Sequence, residues 1–84
     1  MRIAIKNFAF SPMAAHVTVG QTVIWTNYDT VPHNVVFVGA PKLTPSPPRM
    51  GTGARFSIRL TQAGTVHYYC TIHPWMTGTI VVSP

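Results

Sequence analysis

Ile3 and Ile5 alternate with Arg2, Ala4 and Lys6, the two-residue period that sends successive side chains to opposite faces of a strand. The period returns at Val17 and Val19, which lead to a turn at Gly20-Gln21, and at Val23 and Trp25, set between Thr22, Ile24 and Thr26. Phe56, Ile58 and Leu60 alternate with Ser57 and Arg59; Val66, Tyr68 and Cys70 share one face while His67 and Tyr69 take the other, so Cys70 points inward. The run from Asn34 to Val38 is apolar almost throughout, the pattern of a strand buried on both faces, and Thr79 to Val82 makes a last strand after Gly78. Short segments rich in Val, Ile, Thr, Tyr and Phe between turn signals predict an all-β chain of about seven strands folded as a sandwich of two sheets.

The connections are equally readable. Asn27 to Pro32 is a polar link that delivers His33 to the entrance of the fourth strand, and Gln62-Ala63-Gly64 is a turn. Pro41, Pro45, Pro47 and Pro48 fall within eight residues and withhold the backbone donors that a ladder or helix needs. An extended surface loop is expected there, too short to link two domains. With 84 residues in all, two cores would each be too small to offset chain entropy, so residues 1–84 are expected to form one domain. No internal repeat is present.

Composition narrows the function. Hydrophobic residues make up 46% of the chain, enough for a core, but only 8% are charged, so a bound metal would be a useful source of stability. Six basic residues, Arg2, Lys6, Lys42, Arg49, Arg55 and Arg59, face the single acid Asp29, and the net charge of +5 suits an acidic partner. Those charges are dispersed along the sequence and not interleaved with aromatics, which argues against nucleic acid. No apolar stretch approaches the roughly 20 residues of a membrane span, and Met1 leads directly into a strand-like segment without a signal-peptide apolar region.

One cysteine excludes an internal disulfide. Cys70-Thr71-Ile72-His73-Pro74-Trp75-Met76 sets a thiolate, an imidazole and a thioether three residues apart in a loop that closes one end of the sandwich. His33 supplies a second imidazole from a distant strand end. Two imidazoles, a soft thiolate and a weak axial thioether suit copper in both oxidation states. Structural zinc favours more cysteines and no methionine, and a Cys-His hydrolase requires a group to orient its imidazole. Taken singly, a buried Cys, a Met near the chain end and a His after Pro are ordinary packing or turn residues; the C-x2-H-x2-M spacing with an upstream Pro-His-Asn singles out His33, Cys70, His73 and Met76 as a metal site. Met50 is expected beside that site, Met13 in the core, and His16 and His67 on the surface.

Pro32-His33-Asn34-Val35, Cys70-Thr71, His73-Pro74 with an aromatic before Met76, and Val19-Gly20-Gln21-Thr22-Val23-Ile24-Trp25 resemble the amicyanins, a group of cupredoxins, nearly end to end. The resemblance implies an eight-strand Greek-key sandwich, one type 1 copper ion, and a periplasmic carrier working between a dehydrogenase donor and a c-type cytochrome acceptor. It also implies that Asn34 bridges to the ligand loop near Thr71. Ile72 departs from the proline usual in amicyanins and gives the loop a backbone donor and more freedom. The expected protein is a monomer and not an enzyme. His73, flanked by Pro74 and Trp75, is the expected electron exit, with Tyr69 a weaker one. The rival readings are a copper carrier or chaperone, which would exchange the metal, and a cupredoxin domain of a larger copper enzyme, for which His16 and His67 are too few to build a second site.

Overall fold

The computed structural model describes residues 1–84 and contains eight strands: β1 (Arg2–Lys6), β2 (Ala9–Ser11), β3 (Ala14–Thr18), β4 (Thr22–Asn27), β5 (Val36–Val38), β6 (Arg55–Arg59), β7 (Gly64–Tyr69) and β8 (Thr77–Ser83). They form two four-stranded sheets in the orders β2-β1-β4-β6 and β3-β8-β7-β5. Both sheets are mixed, because β1 runs parallel to β4 and β3 parallel to β8. The predicted alternation sends Ile3, Ile5, Val23 and Trp25 from one sheet, and Val17, Tyr68, Ile80 and Val82 from the other, into a shared core. Trp25 lies at its centre, with the rings of Tyr68, Phe56 and Phe37 at 5.2, 5.7 and 6.0 Å. Each such aromatic removes roughly 150–250 Å² from water.

Several expectations need correction. The strand β2 carries only one buried side chain, Phe10, too little for a periodic signal. The Asn34 to Val38 run is not buried on both faces: only Val36–Val38 pairs, Val36 and Phe37 are half-buried, and Val38 is 55% exposed. The strand β5 is an edge, and the backbone ahead of it is bonded elsewhere, Val35 N–H donating to Ser46 Oγ at 2.8 Å and Ser46 N–H to the Val35 carbonyl at 2.9 Å. The proline-rich segment is therefore folded back onto that edge, with Ser46 buried and Leu43 packed against the core. Met13 is 64% exposed and not in the core; it lies just before the β3 ladder, where strand alternation no longer governs direction.

Dispersed in sequence, the cations are gathered by the fold. Arg2 and Lys6 on β1, and Arg55 and Arg59 on β6, all share the outer face of one sheet, because their registers across β4 keep them in phase. All four are exposed. The corresponding face of the other sheet carries Ala14, His16, Thr18, Thr65, His67 and Val81, with no formal charge among them.

Between β7 and β8 the register sets Tyr68 opposite Gly78. Tyr68 is 1% exposed, burial pushes its hydroxyl pKa up to about 12, and its ring lies flush on the Gly78 backbone, where any β-carbon would collide with it. Gly78→Ala should therefore force the ring out of place and destabilise the protein by about 2 kcal/mol, as core overpacking does. In a chain of this size that lowers Tm by roughly 10 °C, readable in a thermal melt. An unchanged Tm would mean that the ring can yield.

Candidate metal centre

Four segments meet at one end of the sandwich: the β1–β2 turn, the β4–β5 connection, the residues ahead of β6, and the loop from Cys70 to Met76. Cys70 arrives there because β7 alternation turns it inward, where it is fully buried. Its N–H donates to the Met76 carbonyl at 3.1 Å and the Met76 N–H to the His73 carbonyl at 2.9 Å, which closes the loop on itself. His33 is held by a two-way backbone bridge, His33 N–H to Met50 carbonyl at 3.2 Å and Met50 N–H to His33 carbonyl at 2.8 Å.

The closure brings three donor atoms together. His33 Nδ1 and His73 Nδ1 are 3.2 Å apart, and Cys70 Sγ lies 3.8 Å from the first and 3.9 Å from the second. A point equidistant from all three lies about 2.1 Å from each, the range of metal bonds to imidazole nitrogen and thiolate sulfur, roughly 2.0–2.3 Å. Cys70 and His33 are fully buried and His73 half-buried. Two imidazoles and one thiolate at the corners of such a triangle, with a thioether in the same loop, are the donor set of a trigonal copper site. The residues fit the ion.

Further side chains fix the donors. His33 Nε2 donates to Asp29 Oδ2 at 2.8 Å, which keeps the proton on Nε2 and turns the lone pair of Nδ1 toward the cluster. Asp29 also accepts the N–H of Asn7 at 2.7 Å and of Phe8 at 3.0 Å. Partial burial pushes its carboxyl up, but the Phe8 and Asn7 amides and the His33 imidazole together hold it below the ordinary value of 3.8. Asn27, fully buried, donates from Nδ2 to the carbonyls of Val31 and Met50 at 3.0 and 2.9 Å and accepts the Asp29 N–H at 2.9 Å, so it shapes the turn that carries the carboxylate. Asn34 donates from Nδ2 to Thr71 Oγ1 at 2.7 Å and to the Pro48 carbonyl at 3.0 Å, and its Oδ1 accepts the Thr71 N–H at 2.8 Å.

The sequence singled out His33, Cys70 and His73, which the structure brings together, and Met76, which is 2% exposed in the same loop. Asn34 and Thr71 meet as described. Pro74 and Trp75 are exposed, Trp75 at 68%, and Ile72 packs against the core from the other side of the loop. Met50 is buried and bridged to His33. His16 and His67 lie away from the cluster, paired with Ser83 Oγ and Thr79 Oγ1. Sequence reasoning missed Asp29, Asn27 and Phe8. Asp29 was recoverable as the only acid, four residues before the proposed ligand; Phe8 carries no local sign of contacting histidines 25 and 65 residues away.

Comparison with known proteins agrees with this geometry. A family model for copper binding proteins of the plastocyanin/azurin family matches residues 1–83. Amicyanin of Paracoccus denitrificans is 38% identical over 82 residues, which cover 95% of this chain and 63% of that relative, and amicyanin-alpha of Methylorubrum extorquens is 32% identical, covering 95% and 69%. The chain thus spans about two thirds of the length of these relatives. Among solved structures, a reduced amicyanin mutant superposes with a TM-score of 0.91 at 35% identity, covering 99% of this chain and 81% of that one. A purple cupredoxin from Nitrosopumilus maritimus superposes at 0.88 and 35% identity, covering 98% of both chains. With the site geometry, the end-to-end family match and these relatives agreeing, the chain belongs to the copper binding proteins of the plastocyanin/azurin family, and within it to the amicyanin-like cupredoxins.

Proposed function

We propose that this chain is a one-domain, monomeric electron carrier in which His33, Cys70, His73 and Met76 would hold a type 1 copper ion. The observation that carries this reading is the convergence of two imidazole nitrogens and one buried thiolate sulfur, 3.2 to 3.9 Å apart. Copper bound there supplies a one-electron couple between Cu(II) and Cu(I). The chain's own part is to hold the donors still. Asp29 fixes the His33 tautomer, Asn34 ties Thr71 beside Cys70, and the backbone bonds of the loop set the spacing of Cys70, His73 and Met76. Donors fixed by the fold change little on oxidation or reduction, which lowers the barrier to electron exchange.

His73 is the electron exit, since it alone of the three is partly exposed. Phe8 and Trp75, 45% and 68% exposed, surround it with an apolar rim suited to brief contact with another redox protein. Exchange of the metal itself, as in a copper chaperone, suits this site less, because Cys70 and His33 are sealed from an incoming ligand. An enzymatic role is also disfavoured: the two surface hollows lie along Val36–Pro45 and along segments 39–44 and 58–66, away from the donors. The resemblance to amicyanins favours a periplasmic location, with a dehydrogenase as donor and a c-type cytochrome as acceptor. No helix is long and apolar enough to cross a membrane.

Copper-loaded protein should be intensely coloured by thiolate-to-copper charge transfer, and ascorbate should bleach it reversibly; a colourless Cu(II) form would overturn the assignment. Cys70→Ser should abolish the band, whereas Met76→Leu should keep it and shift the potential. Asp29→Asn replaces the charged partner of His33 and should weaken copper binding by roughly 10- to 100-fold, measurable by competition with a chelator. An unchanged affinity would show that the carboxylate is dispensable. Finally, exchange with an acidic redox protein should slow by roughly ten-fold or more as salt shortens the screening length from about 30 to 8 Å. Stopped-flow rates indifferent to salt would remove the acidic-partner argument.

A further inference from the structure

We propose that Phe8 is a positioning residue of the metal centre, and that the left-handed Asn7–Phe8 turn persists because it lays the Phe8 ring across both histidine ligands. The proposal rests on the copper-site reading and adds to it a residue that has no donor atom. The turn joins β1 to β2, with Lys6 opposite Ala9, and both of its residues have positive φ, 53° for Asn7 and 58° for Phe8. Such two-residue hairpins want Asn-Gly. Asn is at home at the first position; a bulky aromatic at the second is an outlier that the surroundings must hold in place.

Burial does not account for it, because Phe8 is 45% exposed. What the conformation achieves is contact. The Phe8 ring stands edge-to-face on His73, with centroids 5.0 Å apart and planes at 87°, and on His33 at 5.7 Å and 88°. Trp75 meets His73 from another direction, at 5.3 Å and 65°. The imidazole torsion is intrinsically broad, and His73 has no hydrogen bond from Nε2 to steady it as Asp29 steadies His33. Its orientation is set by rings. Asp29 completes the device: the carboxylate that fixes His33 also accepts the Asn7 and Phe8 amides, so the turn and the ligand are located by one group. Each edge-to-face pair is worth about two- to ten-fold in an equilibrium.

Phe8→Gly separates the site from the fold, since glycine adopts this φ without strain. The metal-free variant should melt at the parent's temperature or above it. In the copper-loaded variant, transfer of Cu(I) to bathocuproine should be about ten-fold faster, and the visible band and reduction potential should both shift. Phe8→Asn, which also tolerates the conformation, should behave in the same way, and Phe8→Tyr should restore the parent values. Proton NMR of the metal-free chain gives a readout free of copper: His73 ring protons should lose the Phe8 ring-current shift and broaden in Phe8→Gly. Unchanged copper transfer and potential, or unchanged His73 resonances, would overturn the proposal. So would a metal-free variant destabilised as much as the copper-loaded one, which would make Phe8 a residue of the fold alone. If the parent took up no copper, the copper-site reading would fail, while the His73 resonances would still decide whether Phe8 orients that ring.

Discussion

The carboxylate of Asp29 receives three hydrogen bonds from two places in the chain: the adjacent amides of Asn7 and Phe8, 22 and 21 residues away, and the His33 imidazole, four residues on. In a protein with one acid and six bases, this charge is spent inside the metal end and not on the cationic face. Hydrogen bonds to an ionised acceptor contribute roughly 1.5–3 kcal/mol each, net of the bonds to water that they replace. They offset the left-handed backbone at Asn7 and Phe8, which costs of order 1–3 kcal/mol per residue. Because the folded carboxyl titrates below its ordinary value of 3.8, its contribution is complete at neutral pH and is lost as pH falls through the folded pKa. Strong acid should therefore loosen the metal end before it disturbs the aromatic core around Trp25, which holds no titrating acid.

The second constraint is that the donors come from both sheets. His33 follows β4 of one sheet, and Cys70 follows β7 of the other. An ion held by both would cross-link the two sheets at the metal end of the sandwich. Each sheet is extended toward that end by one link, the Asn34–Thr71 pair continuing the β5–β7 register and the His33–Met50 bridge joining the segments after β4 and before β6. They help to set the spacing of the three donor atoms.

How much could be read from sequence follows from how local each signal is. Period-two alternation, with an apolar run at β5, revealed seven strands; β2, whose only buried side chain is Phe10, offered neither signal. The C-x2-H-x2-M spacing exposed the ligand loop because one tight turn encodes it. His33 was found only through its Pro-His-Asn setting. Phe8 acts through contacts 25 and 65 residues away, Asn27 through Met50, 23 residues on, and Asp29 joins His33, four residues on, to the Asn7 and Phe8 amides; no local period marks the distant pairings. The parallel pairing of β1 with β4 and of β3 with β8 was likewise invisible, since it depends on crossovers between sheets. The same blindness made the cations look scattered: Arg2 and Arg59 are distant in sequence, yet the β1–β4–β6 register brings them to one face.

That last point bears on how the proposed carrier would meet a partner. The cationic face runs along the side of the sandwich, on β1 and β6, whereas His73 with Phe8 and Trp75 occupies the strand ends. Charge acts across several ångströms of water and can orient an approaching acidic surface before contact. The final contact proposed at His73 would be apolar, small and short-lived, as turnover requires. Lys6 and Arg55 link the two regions, since each lies at the metal end of its strand, opposite or beside the residues that lead into the β1–β2 turn and the His33 connection. A partner attracted to the face would thereby be drawn toward the end proposed as the electron exit. Steering and contact can then be altered separately, the first by charge on β1 and β6, the second by the rings around His73.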